Sequence, residues 1–342
     1  MNRKPAGRAV VVTVLLTTAL AACGKSESAG SVQVAGGGVT TVRWIYDWTP
    51  TSADLPVLKG LAEGWFEEAG VKVATTPGGA IDQLESVGAG NHDMTVGGGV
   101  ELLVDQARGL PVKSVGLVQP VALGGLVCNP DSGVKDGVPK TLLDRKLATA
   151  SSDADDVVWQ IWRDRNQLTG KVTEVSAEAG PDLLYQGVVD CFPDFLTLAP
   201  LEAEKEFGEA PVLVPYSKEL GVIGQVLDVN TDFAQKNPQA VRAFVDVYAR
   251  GMEWAASHQA DAVKLMKKTY PDIDEKITAQ ELKSLAGYWA GGFQRKNGYL
   301  SMNDHSWAAT VDVLLKGRAI DEAPEMSSVY TTEYLPSTPY LP

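Results

Sequence analysis

Aspartates, a tryptophan and glycines recur where this chain passes from an extended run into a helical one. They offer the chemistry of binding rather than of bond breaking. Asp47, Trp48 and Thr49 close the first extended run, and Asp54 follows at the start of a helical stretch. Gly78 follows the second run, Gly98, Gly99 and Glu101 follow the third, and Gln119 ends the fourth. Ser151, Ser152 and Asp194 stand at equivalent points farther on. In open α/β sheets ligands sit beyond the carboxyl ends of the strands, which makes these residues the candidate ligand-binding set. An indole face stacks on a planar molecule, and a glycine lets a ligand approach backbone N–H groups. Each feature also has a plainer reading. Trp48 fits a core position, Gly97-Gly98-Gly99 fits a tight turn, and Ser151 or Ser152 fits a helix N-cap. A helix N-terminus can hold an anion, but Asp153, Asp155 and Asp156 would repel one there. If two or three of Asp47, Asp54, Glu101, Asp182 and Asp194 converge, the ligand is cationic, or neutral with N–H donors.

Catalytic and metal chemistry find little support. The chain carries no G-x-S-x-G, H-E-x-x-H, P-loop or CxxC pattern. The three histidines, His92, His258 and His305, have no ligand spacing with a cysteine. No catalytic residue, metal site or cofactor is expected.

Extended and helical runs alternate through the elements that must position these residues. Strands are expected at 42–46, 71–75, 94–96 and 111–119, with helices at 55–69, 78–88 and 101–108 between them. A second block repeats the alternation over about 125–225, with strands at 146–150, 172–177 and 187–192 and helices at 153–168, 181–186 and 199–207. Residues 224–230 read as a return strand, and helices dominate beyond Pro238. This points to an α/β fold with mostly parallel sheets covered by helices.

The N-terminus carries an address. Arg3, Lys4 and Arg8 precede a short apolar run that ends in Leu20-Ala21-Ala22-Cys23, the layout of a secretory signal peptide. The cysteine at the cleavage point resembles the lipobox of bacterial lipoproteins, which implies lipidation of Cys23 and a membrane anchor outside the cytoplasm. Residues 24–40 are rich in Gly and Ser and read as a flexible tether. Removal of residues 1–22 leaves 320 residues and shifts the net charge from −13 to −16. So acidic a body argues against nucleic-acid binding and against electrostatic adhesion to anionic lipid. Cys128 and Cys191 then remain, either as one disulfide or as two buried thiols.

Ordered landmarks extend the reading. Asp47-Trp48-Thr49-Pro50 followed by Gly64-Trp65-Phe66-Glu67-Glu68-Ala69-Gly70-Val71-Lys72-Val73 resembles the solute-binding proteins of the sulfonate, nitrate and thiamine-pyrimidine group. Gly88-Ala89-Gly90-Asn91-His92-Asp93, Gly109-Leu110-Pro111-Val112 and Gly187-Val188-Val189-Asp190 continue the resemblance in order. It implies a two-lobed, periplasmic-binding-protein-like (type II) fold with two hinge crossovers at about 115–127 and 221–230. Lobe 1 would comprise residues 41–124 and 225–342, and lobe 2 residues 125–224, with lipoprotein signal at 1–22 and tether at 23–40. It further implies a monomer that captures a small, thiamine-pyrimidine-like or other nitrogenous heteroaromatic molecule between the lobes. The ligand would pass to the permease and ATPase subunits of an ABC importer. A sulfonate- or nitrate-type ligand, a tethered sensor and a pyrimidine-synthase-like enzyme are the alternatives. Two departures from the pyrimidine-binding pattern stand out: Thr51 replaces its Asn and Asp54 its His. In the second lobe, Ala199 precedes Pro200 where that pattern has a Glu.

Overall fold

Val42, Trp44 and Tyr46 are buried while Thr41 and Arg43 are exposed, so the first strand turns a period-two apolar face inward. In the computed structural model this strand is β1 (Thr40–Ile45) of ten. The others are β2 (Val71–Thr76), β3 (Met94–Gly98), β4 (Val112–Leu117), β5 (Gly124–Cys128), β6 (Lys146–Thr149), β7 (Thr173–Ser176), β8 (Cys191–Phe195), β9 (Val212–Pro215) and β10 (Gln225–Asn230). The structure describes residues 39–79, 81–149, 153–176 and 180–342. The expected signal, Cys23 and most of the tether lie outside them, as do Ser151 and Ser152. No described helix is long and apolar enough to cross a membrane.

Two five-stranded sheets form, in the orders β2-β1-β3-β10-β4 and β7-β6-β8-β5-β9. In the first, β1 runs parallel to β2 and β3, and β10 returns antiparallel between β3 and β4. In the second, β6 runs parallel to β7 and β8, and β5 lies antiparallel between β8 and β9. The chain passes to the second sheet between β4 and β5 and returns between β9 and β10, giving an α/β two-lobed architecture. The two crossovers are zipped together: Val118 and Gln119 donate to the Gln225 carbonyl, Gly224 to that of Gln119, and Ala122 to that of Val222. A Cβ on Gly224 would sit 2.8 Å from the Val121 carbonyl oxygen, so only glycine permits this approach.

The first sheet is covered on one face by the helices Leu55–Ala62 and Pro238–Ser257, whose Leu55, Phe244 and Tyr248 pack with Trp44 and Tyr46 in one apolar cluster. Cys128 and Cys191 face each other in the β5–β8 register and form a disulfide with an S–S distance of 2.07 Å. That resolves the choice between a disulfide and two thiols. Local boundaries shift for identifiable reasons. The helix expected over 55–69 breaks into Leu55–Ala62 and Trp65–Glu68, because Gly64 adopts φ 71°. The helix expected from Gly78 begins only at Gln83, where the Asp82 carboxylate accepts the Glu85 N–H at 2.8 Å. The strand expected over 187–192 starts at Cys191. Asp190 instead accepts the Lys146 N–H on its carboxylate, and its own N–H goes to the Lys146 carbonyl.

Candidate functional site

Chain direction brings the carboxyl ends of β1 and β3 together with the start of β10 at one edge of the first sheet. There Asp47 takes the Trp48 N–H on Oδ1 at 2.8 Å and the Gln225 side-chain amide on Oδ2 at 3.0 Å. Gln225 in turn accepts the Gln119 amide at 2.8 Å. A continuous relay therefore links the loop after β1 to both crossovers. Sequence reading singled out Asp47 and Gln119 but not Gln225, which joins them.

Trp48 is 59% exposed, which excludes the core reading. Its indole covers Gly79, whose backbone (φ 92°) leaves room where a Cβ would lie 3.3 Å from the ring. Thr49 is also exposed beside it. Phe195, at the carboxyl end of β8 in the other lobe, is 45% exposed and follows Asp194, whose carboxylate takes the Phe195 N–H. Each lobe thus presents an aromatic ring and a carboxylate at a strand terminus. Phe195 was not anticipated; its position after the second-block strand was the available signal.

Asp54 closes the turn before the first helix, accepting the Thr51 N–H at 2.9 Å, while Thr51 Oγ1 accepts the Ala53 N–H. It is buried, and burial together with nearby Asp47 holds its carboxyl well above the usual carboxylate range. Burial raises Asp47 too, opposed by the N–H groups it accepts. Glu281, on the helix Glu275–Trp289, accepts the Ser52 N–H at 3.2 Å and is likewise raised by burial. Asp47 and Asp54 converge, as the sequence left open, and Glu281 joins them. Glu281 stands on the stripe of Ile277, Leu282 and Leu285, and an acid on an apolar stripe was the signal that could have found it.

Other candidates serve the scaffold. A Cβ on Gly78 would lie 2.2 Å from the Tyr46 carbonyl oxygen, so Gly78 allows strand ends to pack. The Gly98 N–H is held by Glu101 Oε2 at 3.1 Å and the Gly99 N–H by the Gly224 carbonyl at 2.9 Å. The open amides expected at Gly98 and Gly99 are therefore engaged internally, and Glu101 caps its own helix. Ser151 and Ser152 lie outside the described residues. Among those residues no group of three or more His, Cys, Asp or Glu is arranged to hold a metal ion.

Among the described residues an ion pair joins the lobes: Lys205, on the helix Ala199–Phe207, lies 2.8 Å from Asp274, which caps the helix Glu275–Trp289. A separate cavity of about 330 Å³, lined by Arg242, Asp246 and Leu335 among others, lies between the helix Pro238–Ser257 and the C-terminal segment.

Comparisons with known proteins bear on the family and the fold. The family model described as NMT1/THI5 like matches residues 54–262. A protein of Bacillus subtilis named for binding aliphatic sulfonates is 25% identical over 238 residues, 67% of this chain and 70% of that protein. The 4-amino-5-hydroxymethyl-2-methylpyrimidine phosphate synthase of Legionella pneumophila is 21% identical over 311 residues, 87% of this chain and 93% of the enzyme. Among solved structures, the periplasmic aliphatic sulphonate binding protein SsuA of Escherichia coli superposes with a TM-score of 0.61 at 13% identity, covering 84% of this chain and 91% of its own.

Proposed function

The chain belongs to the NMT1/THI5-like family, and from that premise we propose that it is an extracytoplasmic solute-binding protein that feeds an ABC importer. The observation that carries the reading is the exposed Trp48 beside the Asp47–Gln225–Gln119 relay. A solute stacked on the indole and bonded to Asp47 touches a group tied to both crossovers, so binding and lobe closure become one event. Residues 41–124 and 225–342 form the lobe that carries Trp48, and residues 125–224 form the lobe that closes on it. The captured molecule is small, planar and nitrogenous. The loops at the strand ends, over residues 47–54, 77–82, 97–101, 119–122, 193–197 and 221–225, contain no Lys, Arg or His, which favours an N–H-bearing solute over a sulfonate.

The layout of Arg3, Lys4, Arg8 and Leu20-Ala21-Ala22-Cys23 supports export, cleavage before Cys23 and lipid attachment there. Two acyl chains hold a protein stably where one would not. The anchored monomer would present its ligand to a permease and ATPase. These loops contain neither cysteine nor histidine, and Asp54 stands where the pyrimidine-binding pattern has a histidine.

A thermal-shift screen of the full-length chain in detergent tests the reading. Thiamine precursors, flavins, purines, polyamines, sulfonates and nitrate form the panel. A true ligand at about a hundred times its dissociation constant adds roughly 2.7 kcal/mol of stability. Stabilisation by a nitrogenous ring compound is expected. Stabilisation by sulfonates alone would overturn the ligand class, and turnover of the stabilising compound would overturn the transport role.

A further inference from the structure

We propose that Asp47, Gln225 and Gln119 form a reversible chain of hydrogen bonds whose direction is set by one proton on Asp47, so that the crossovers are held differently in acid and in alkali. This goes beyond solute capture and needs no solute to operate.

Donor and acceptor chemistry fixes the direction of the chain. Gln225 Nε2 donates to Asp47 Oδ2 at 3.0 Å, and Gln119 Nε2 donates to Gln225 Oε1 at 2.8 Å. An ionised carboxylate only accepts, so it draws the Gln225 nitrogen toward itself. Gln225 then turns its oxygen to Gln119, which answers with its own nitrogen, and Gln119 Oε1 is left over. Gln119 is 2% exposed, and that oxygen is buried with no hydrogen-bond partner among the described residues. A Cβ on Gly224 would lie 2.9 Å from Gln119 Oε1 and 2.8 Å from the Val121 carbonyl oxygen, so two acceptors crowd one point. A buried acceptor without a donor is costly.

One proton removes the misfit. When Asp47 Oδ2 takes a proton from solvent, its O–H donates to Gln225 Oε1, and Gln225 Nε2 donates to Gln119 Oε1. Gln119 Nε2 then lies beside the Val121 carbonyl, where a donor is wanted. Each amide turns about its terminal torsion, which is two-fold in character, and keeps its outline. The O–H bond is the one covalent change, and Asp47 Oδ1 keeps the Trp48 N–H. The titratable groups that face Asp47 are Asp54, from the turn Ser52–Asp54, and Tyr248, from the helix Pro238–Ser257. Both are acids, so neither supplies a counter-charge to the ionised form. Burial raises the Asp47 carboxyl, against the Trp48 and Gln225 N–H groups, which agrees with proton uptake there. In alkali the bare Gln119 oxygen gains by reaching water, so the crossovers open more readily.

Nuclear magnetic resonance of the full-length chain in detergent, labelled with 15N-glutamine, reads the direction. Gln119→Met identifies the Gln119 side-chain signal by removing it. At mildly acidic pH the Gln119 amide protons should show a nuclear Overhauser contact with the Gly224 α-protons, and at mildly alkaline pH the contact should fade. Asp47→Asn presents a nitrogen to Gln225 at every pH while its oxygen keeps the Trp48 N–H, so the contact should then persist in alkali. Hydrogen exchange of the Val118, Gln119 and Gly224 backbone amides, relative to unfolded-chain rates, should be severalfold slower in acid in the native chain and independent of pH in Asp47→Asn. A contact that is absent at all pH, or equally strong at all pH in the native chain, would overturn the proposal. So would its absence from Asp47→Asn in alkali, or equal protection of the crossover amides in acid and alkali.

Discussion

Replacing both Cys128 and Cys191 by alanine should cost the second lobe several kilocalories per mole. The disulfide closes a loop with a sequence separation of 63. Constraining the unfolded chain over that length contributes about 4 kcal/mol at 25 °C in the loop-entropy model. Both residues are fully buried at the β5–β8 pairing, so alanine also removes packed sulfur from the core. Differential scanning calorimetry of the full-length chain against the double variant measures the effect. The transition that holds the second sheet should fall by roughly 16–30 °C, at about 4–8 °C per kcal/mol for a unit of about 100 residues. The first sheet contains neither cysteine, so its transition should move much less. A loss below about 1 kcal/mol would refute the argument, because the covalent link would then not be constraining the unfolded chain. A disulfide of this kind persists in an oxidising compartment, so thiol labelling of the native chain should find neither cysteine reactive.

Three further outcomes follow from particular residues. Asp228 is fully buried on β10, neither carboxylate oxygen has a hydrogen-bond partner among the described residues, and burial followed by nearby Glu101 pushes its carboxyl well above the ordinary value of 3.8. Its contribution to stability is complete below that ordinary value and is lost as pH rises toward the elevated one, so Asp228→Asn should flatten the decline of melting temperature with pH; superimposable pH profiles would contradict this. Trp48→Ala should change stability by no more than about 0.5 kcal/mol, because the indole is exposed. The same change should weaken a planar ligand about tenfold, by roughly 1.4 kcal/mol in a titration; unchanged affinity would remove the indole from the site. Gly78→Ala places a Cβ 2.2 Å from the Tyr46 carbonyl oxygen and should cost about 1–3 kcal/mol in urea unfolding, whereas a neutral result would show that the loop after β1 yields freely.

What could be read from the residues alone follows a physical division. Periodicity and punctuation are local, so the alternation of strands and helices and the stop at Gly70 were visible, and with them the α/β class. The loop Asp47-Trp48-Thr49-Pro50 was visible as a strand ending. Partners distant in the chain were not: Gln225 lies 178 residues from Asp47, and Glu281 lies 229 from Ser52. The Gly99 amide looked open because its acceptor, the Gly224 carbonyl, belongs to a crossover far along the chain. The pairing of Cys128 with Cys191 needed the β5–β8 register, which no spacing rule supplies.

The most direct test of the central claim is native mass spectrometry of the full-length chain released gently from the envelope of its host. Solute capture predicts one small, non-covalently held molecule per chain, lost on unfolding and absent from the Trp48→Ala variant. A chain that carries no molecule, and takes up none from spent medium, would contradict it.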